Sequence, residues 1–327
     1  YPNGSFADVT PGVTTVTNDE PWTHTQVAGL SVLARKGSIP YIRNIKSDST
    51  YYGMGGDWPA TTTCAVSRGF LDFIICLNVS AGANEYPTMV KWCNPLTFSP
   101  AISSINWDPS NTAYIAGENI LGDMRTPILD GLPLHNTFMI YSSDQVWGME
   151  YTGSNLVFNF KRLFQSTGIM NTNCVVEVEG KHMVFGTDDI FMHDGVSKKT
   201  IADERIRRKL YTALDRNKKS KFFVHHDSIL NLVYFCYVDK TSTSGFLNTP
   251  YCNKAAVYNY RNDTWSFMDL PNAVGAAETN IDLTGTNYDA YQSSYNSFNN
   301  VYSGFDTQTP RVSIMLGNSD STNGLTD

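Results

Sequence analysis

Histidines and carboxylates carry most acid–base and metal chemistry, so their spacing in this 327-residue chain is weighed first. His225 and His226 are adjacent. On a strand, neighbours point to opposite faces, so the two cannot chelate one ion together. His182 and His193 flank one hairpin, and a metal there would need a carboxylate such as Asp188 or Asp194. Glycoside cleavage would need two carboxylates facing one pocket. Asp144, Asp188, Asp189, Asp227 and Asp263 are available. All five sit in polar turn sequences, where aspartate is favoured because it hydrogen-bonds its own backbone. Turn chemistry is the better account of them. No H-E-x-x-H, G-x-S-x-G, Walker A or dinucleotide glycine fingerprint occurs. The expectation is no catalytic residue, no metal site and no cofactor.

The elements that hold these residues repeat. A strand–turn–strand unit is centred on Asp144, Asp188, Asp227 and Asp263, spaced 44, 39 and 36 residues apart. In each copy two β-branched or aromatic runs flank a polar turn, which is a hairpin pattern. A period near 40 residues suits one propeller blade. Residues 70–92 form a convincing fifth hairpin unit. The expected fold is mainly β, built of propeller-like antiparallel units. Met139, Tyr141, Val184, Phe185, Val224, Phe235 and Val257 should supply part of its core. The sialidase Asp-box, Ser-x-Asp-x-Gly-x-x-Trp, is not met. Both Ser142-Ser-Asp144-Gln-Val-Trp147 and Asn262-Asp263-Thr-Trp265 lack its glycine.

Around the propeller-like domain, set at residues 61–272, residues 1–60 read as an irregular β segment. Residues 94–134 read as a long loop, and residues 273–327 as a polar extended segment. A start at Tyr1 rather than Met reads as a piece of a longer polypeptide. The six cysteines, Cys64, Cys76, Cys93, Cys174, Cys236 and Cys252, are widely spaced and read as buried free thiols. No apolar run reaches transmembrane length.

One amphipathic helix is expected near residues 201–214. Ile206, Leu210, Ala213 and Leu214 fall on one stripe, with Asp203 and Glu204 in the first turn. It belongs to a basic insert. Residues 198–221 hold ten Lys or Arg and three Asp or Glu, a balance of +7 in a chain whose net charge is −7. The insert is a solvated face or a docking surface for an acidic neighbour or DNA phosphate. The interface residues expected are Arg205, Arg207, Arg208, Lys209, Arg216, Lys218, Lys219 and Lys221.

Several segments in order resemble the tail nozzle proteins of short-tailed bacteriophages, the tail tubular protein B family. They include Val90-Lys-Trp-Cys-Asn94, Ile105-Asn-Trp-Asp-Pro109, Pro127-Ile-Leu-Asp-Gly-Leu-Pro-Leu134 and Ile140-Tyr-Ser-Ser-Asp-Gln-Val-Trp-Gly-Met149. Asp189-Ile-Phe-Met-His-Asp-Gly195 leads into Lys199-Thr-Ile-Ala-Asp-Glu-Arg-Ile-Arg208. Cys252-Asn-Lys-Ala-Ala-Val-Tyr-Asn-Tyr260 and Trp265-Ser-Phe-Met-Asp-Leu-Pro-Asn272 complete the likeness. It covers roughly residues 88–272. The resemblance implies a non-enzymatic virion component assembled in the host cytoplasm. It implies a homo-oligomeric ring, a hexamer by that likeness, around the DNA ejection channel. Its partners would be tail adaptor and tail fibre proteins, with double-stranded DNA in transient passage. The competing expectation from the residues alone is a carbohydrate-active propeller, hydrolase or lectin.

Overall fold

The computed structural model describes residue 9 and residues 20–153, 156–241, 251–280 and 311–317. Their strands make five antiparallel sheets arranged as a five-bladed β-propeller. Blade 1 holds β1 (Thr23–Val27), β2 (Leu30–Ala34), β3 (Tyr41–Asn44) and β4 (Tyr52–Gly53). Blade 2 holds β5 (Thr62–Phe70), β6 (Phe73–Ala81), β7 (Asn84–Trp92) and β8 (Gly117–Ile120). Blade 3 holds β9 (Asp130–Leu134), β10 (Thr137–Tyr141), β11 (Gln145–Tyr151) and β12 (Phe158–Gln165). Blade 4 holds β13 (Val175–Val178), β14 (Lys181–Phe185), β15 (Ile190–His193) and β16 (Lys198–Thr200). After the helix α1 (Glu204–Ala213), blade 5 holds β17 (Phe223–Asp227), β18 (Leu232–Tyr237), β19 (Cys252–Asn259), β20 (Thr264–Asn280) and β21 (Arg311–Gly317).

The first strand of each blade is innermost and touches the first strand of the next, from β1 to β5, β9, β13 and β17. Threonine side chains stitch the first pair. Ser67 N–H donates to Thr23 Oγ1 at 3.1 Å and Gly69 N–H to Thr25 Oγ1 at 2.7 Å. Both partners advance two residues in the same direction, so the inner strands run parallel.

Each middle blade is packed on both faces, which decides how its strands read. In β10, Phe138 and Ile140 join the core shared with blade 2, while Met139 and Tyr141 join the core shared with blades 4 and 5. In β6, Ile74 and Cys76 face blade 1, and Ile75 and Leu77 face blade 3. A strand covered on both sides becomes a continuous apolar run rather than an alternating one. Of the expected core residues, all are buried except Val224, which is half-buried.

The repeat differs from its sequence reading in a way the topology explains. The Asp144 and Asp188 turns join the second and third strands of blades 3 and 4, so their spacing is a true blade period. The Asp227 and Asp263 hairpins belong to one sheet, joining first to second and third to fourth strands of blade 5. A hairpin signature marks antiparallel neighbours without telling which pair of a blade they are. Residues 23–53, taken for an irregular segment, form a complete blade. The long loop expected at 94–134 contains β8, the outer strand of blade 2, and β9, the inner strand of blade 3. β9 was hidden by Gly131 and Pro133. Proline is tolerated there because an innermost strand has a free edge. Residues 273–280 and 311–317 form a strand pair, while residues 281–310 and 318–327 lie outside the described residues.

Four blades meet at one ion pair. Arg68, on β5, is 13% exposed and Asp130, on β9, is 0% exposed. The guanidinium grips the carboxylate with two bonds of 2.9 Å, from Nε to Oδ1 and from Nη2 to Oδ2. Arg68 also donates to His24 O of blade 1 at 3.1 Å, to Gly131 O at 3.2 Å, and to Asn173 Oδ1 before blade 4 at 3.0 Å. Asp130 further accepts the N–H groups of Gly131 and Asn173, each at 2.8 Å. Asn173 Nδ2 then donates to Trp22 O at 3.1 Å. Gly131 is required by space, since a Cβ there would lie 2.6 Å from the Phe138 ring.

With its carboxylate satisfied on both oxygens, the pair is a strut, and breaking it leaves a buried charge. Asp130→Ala should lower unfolding free energy by about 3–5 kcal/mol. Glu150→Ala, which removes the exposed pair with Lys161, should cost about 1 kcal/mol or less. Chemical denaturation of the two variants checks the contrast, and equal losses would contradict it.

Candidate functional site

The hairpin aspartates are built into their turns. Asp227, buried on β17, accepts the N–H groups of Ile229 at 3.0 Å and Leu230 at 2.9 Å. Asp144 accepts the hydroxyls of Thr126 at 2.6 Å and Ser142 at 3.1 Å. Asp263 stands in the left-handed region (φ 52) and accepts Tyr258 O–H at 2.8 Å. Asp189 accepts Thr200 O–H at 2.5 Å, and exposed Asp188 lies 3.6 Å from Arg216. The meander puts the Asp144 and Asp188 turns at one end of the propeller and the Asp227 and Asp263 turns at the other. They do not converge on one pocket. Asp130, on the inner strand β9, is held by Arg68.

His182 and His193 do come together, as direct cross-strand partners on β14 and β15. Both rings bond the hydroxyl of Tyr141, on β10 of blade 3, at 2.5 and 2.6 Å. The surrounding groups fix every proton. His182 Nε2 faces Pro133 O at 2.9 Å, and a carbonyl only accepts, so Nε2 carries the hydrogen. His182 Nδ1 is therefore bare and accepts from the Tyr141 hydroxyl. Gly195 N–H donates to His193 Nδ1 at 3.2 Å, so His193 Nε2 is protonated and donates to the Tyr141 oxygen. This chain of bonds joins blades 3 and 4 through a buried polar core. Burial pushes His182 down to about 4 and His193 down to about 3, the latter helped by the neighbouring His182. Burial also raises the Tyr141 phenol well above its ordinary value. Asp194 turns away to cap its own turn, accepting from Val196 and Ser197. His225 and His226 diverge as strand geometry requires. His225 lies against Tyr234, and His226 bonds Tyr260 Oη at 3.1 Å.

The basic insert presents the exposed charge. Asp203 caps α1, its carboxylate accepting Ile206 N–H at 2.7 Å, so the helix begins at Glu204 and not at Ile201. Ile206, Leu210 and Leu214 are buried and Ala213 partly so, in the core shared by blades 3 to 5. The opposite face is exposed. Arg205, Arg207 and Arg208 have no hydrogen-bond or ion-pair partner among the described residues. Lys209 Nζ sits 4.0 Å above the Phe267 ring of β20, and Lys221 Nζ lies 5.1 Å from the Tyr251 ring. Arg216 approaches Asp188, and Lys218 lies 3.8 Å from Asp215. Lys219 is exposed in the 3₁₀ turn that follows. An open groove of about 640 Å³ runs along this face, lined by Glu204, Arg205, Arg208, Lys209 and Thr212. The eight expected residues thus split between an unpartnered arginine row on α1 and a turn whose charges are partly engaged.

No protein-family model matches the chain, and no curated protein matches it significantly. Among the described residues, no group of three or more His, Cys, Asp or Glu is placed to hold a metal ion. No described helix is long and apolar enough to cross a membrane. All six cysteines are buried and unpaired, and burial pushes the Cys93 thiol up to about 12. Two constellations escaped the sequence reading. Arg68 left one signal, the single charged residue of the strand Thr62–Phe70. The Tyr141 hydroxyl left none, because a buried tyrosine and a core tyrosine read alike.

Two expectations follow. Both histidines are neutral in the folded protein at neutral pH and would bind protons once unfolded, where imidazole titrates near 6.5. Their contribution is complete above that pH and declines as pH falls toward 4 for His182 and 3 for His193. The slope is about 1.4 kcal/mol per pH unit per ring. Urea midpoints from pH 7.5 to 5 should fall accordingly, and His193→Gln should flatten part of the profile, His24, His225 and His226 also being lowered by burial. A flat wild-type profile would refute the buried relay. Separately, Asp144→Asn and Asp227→Asn should each cost about 0.5–1.5 kcal/mol through turn hydrogen bonds. Thermal melts check this, and loss of a specific hydrolytic activity in either variant would overturn the turn reading.

Proposed function

We propose that this chain is a structural subunit of a short-tailed phage tail nozzle, one copy of an oligomeric ring around the DNA ejection channel. The observation that carries the reading is the arginine row Arg205, Arg207 and Arg208, fixed on a capped helix and without an ion-pair partner among the described residues, although Glu204 lines the same groove. Outside residues 198–221 the chain holds 14 basic and 28 acidic residues. A second copy or an adjoining acidic tail protein is therefore a natural electrostatic complement. Support also comes from the segment-by-segment likeness over residues 88–272 and from the propeller fold. Carboxylates engaged in turns and in the Arg68 strut suit a subunit that does no chemistry. An acidic subunit with basic charge confined to one insert lets duplex DNA slide, because each phosphate contact adds salt-dependent affinity.

Light scattering of the purified chain should report a ring-sized assembly. Exposed ion pairs contribute about 0.2–1 kcal/mol each. Arg205→Glu, Arg207→Glu and Arg208→Glu together should then weaken assembly by about one to two orders of magnitude at low salt. The deficit should shrink as salt rises, because charges are screened within about 8–10 Å near physiological ionic strength. A monomer at all concentrations with glycosidase activity or sugar binding would sink the nozzle reading. Unchanged assembly with impaired DNA retention would move the row to the channel wall.

A further inference from the structure

The end of the propeller opposite the arginine row carries a fixed apolar knob. Leu71 and Asp72 form the turn between β5 and β6, whose strands pair right up to it, Phe70 facing Phe73. Leu71 is 53% exposed and stands in the left-handed region (φ 51), which disfavours a bulky side chain. An exposed leucine held this way adds little to its own turn, and strain of this kind collects where a surface is used. The loop after β7 lays Phe98 near it. That loop is tied down on both sides. Leu96 N–H donates to Asp72 O at 2.8 Å, Ser99 N–H to Ala28 O at 2.6 Å, and Asn44 Nδ2 to Pro100 O at 3.2 Å. A Cβ on Gly29 would lie 3.6 Å from the Phe98 ring, so the ring rests against the Gly29 turn of blade 1. It is nevertheless 82% exposed, the most exposed aromatic ring among the described residues. A bare ring on an anchored backbone projects rigidly.

The charge of this end is opposite to that of the insert. Its connections between first and second and between third and fourth strands carry Asp48, Asp72, Asp108, Glu179, Asp194 and Asp263 against Lys46 and Arg261. Five of the six carboxylates are engaged. Asp48, Asp108 and Asp194 accept N–H groups of their own turns, Asp263 accepts Tyr258 O–H, and Glu179 pairs with Arg261. The Asp72 carboxylate is exposed and has no partner among the described residues. A free carboxylate thus stands beside an exposed leucine and an exposed phenylalanine. The helix α1 lies at the other end, where Tyr211 O–H donates to Gly186 O, next to the Asp188 turn, at 2.7 Å.

We propose that the knob of Leu71, Asp72 and Phe98 docks into the α1 groove of a second copy of this chain. The inference rests on the ring reading above and names its contact. The groove is open, about 640 Å³ in volume, and lined by Arg205, Arg208 and Lys209. Asp72 supplies the carboxylate that these arginines lack within their own subunit. Phe98 supplies a ring for the cations to cover, as Phe267 does for Lys209 inside the chain. Glu204 lines the same groove, and its like charge steers Asp72 toward Arg208, one turn further along the helix. Knob and groove lie at opposite ends of the propeller, so one copy cannot satisfy itself. The contact is heterologous, head to tail, the kind that closes into a ring when the rotation between copies permits.

Two variants and their mixture test it, read by light scattering and native mass. The knob variant is Asp72→Lys with Phe98→Ser, and the groove variant is Arg205→Glu with Arg208→Glu. All four positions are exposed, so both variants should fold, which circular dichroism checks. Each alone should assemble at least tenfold more weakly than the wild type. The knob variant's deficit should persist as salt rises, because apolar burial is not screened as charge is. Mixed, the two share one intact knob and one intact groove, so they should form a one-to-one pair and stop there. Leu71→Asn should weaken assembly while raising the melting temperature of the dilute monomer, because asparagine tolerates the left-handed region. A knob variant that assembles like the wild type while the groove variant does not overturns this inference and leaves the ring reading standing. A mixture that yields no pair overturns it as well. A wild-type chain that stays monomeric at every concentration overturns both.

Discussion

The Arg68–Asp130 pair is the constraint on which the rest of the arrangement depends. A propeller has no central core of its own; its inner strands converge on an axis where their free edges would face water. Here that axis is closed by one guanidinium and one carboxylate that collect backbone groups from blades 1, 3 and 4 around blade 2. Such a pair is not an obvious source of stability, because desolvating two charges costs several kcal/mol per ion before attraction offsets it. What it supplies is position. A bidentate contact admits one orientation, and each remaining lone pair of Asp130 accepts an N–H whose place is set by its own blade. Apolar replacements could fill the same volume without fixing the relative height of four sheets.

The second inter-blade polar contact works by the opposite electrostatic logic. Tyr141, His182 and His193 join blades 3 and 4 without any charge at neutral pH, every proton assigned by a carbonyl or amide at the end of the chain. Neutral groups avoid the ionic desolvation term, and a fully satisfied buried network is specific where a partly satisfied one is costly. In the folded protein it stays neutral down to about pH 4, but its contribution to stability declines once the pH falls below about 6.5, where an unfolded imidazole takes up a proton, so the contact ties stability to pH. The same donors and acceptors would be lost to a metal, and it is their saturation that makes the cluster structural.

Much of the fold was legible in the sequence because propeller blades are local. Hairpins join strands close in sequence, so turn residues between β-branched runs located the Asp144, Asp188, Asp227 and Asp263 turns and the 70–92 hairpin. The helix was legible from its stripe, with an error of three residues at its start because Asp203 caps the helix instead of entering it. Blade membership was not legible, because it depends on which pair of a four-stranded sheet a hairpin joins. β9 was concealed by Gly131 and Pro133, residues that normally argue against a strand and are allowed here by a free inner edge and by the Phe138 ring. Blade 1 was missed although polar turns at 35–40 and 45–51 join its strands, because β3 and β4 are only four and two residues long. The axial pair could not be found from spacing at all, since Arg68 and Asp130 are 62 residues apart and meet only once two blades have stacked.

These observations also bear on how charge is distributed. The buried charges are spent on alignment, while the arginine row of α1 stands on a helix whose other face is locked into the core of three blades. A short helix is unstable alone, so burial of Ile206, Leu210 and Leu214 and the Asp203 cap are what make the row rigid. Rigidity matters for association because flexible cations lose side-chain entropy when they pair, which leaves most exposed ion pairs weak. Arginines held at fixed spacing on a packed helix lose less on binding, and their planar donors match carboxylate and phosphate alike. If the row is the interface proposed here, its charge calls for an acidic partner, and geometry must choose between an acidic protein surface and a nucleic-acid backbone. A protein neighbour can also cover the apolar and aromatic rim beside the row, where Lys209 lies over Phe267, whereas sliding duplex DNA presents only phosphate there. Within that proposal, the asymmetry favours a protein partner over nucleic acid on this face of the propeller.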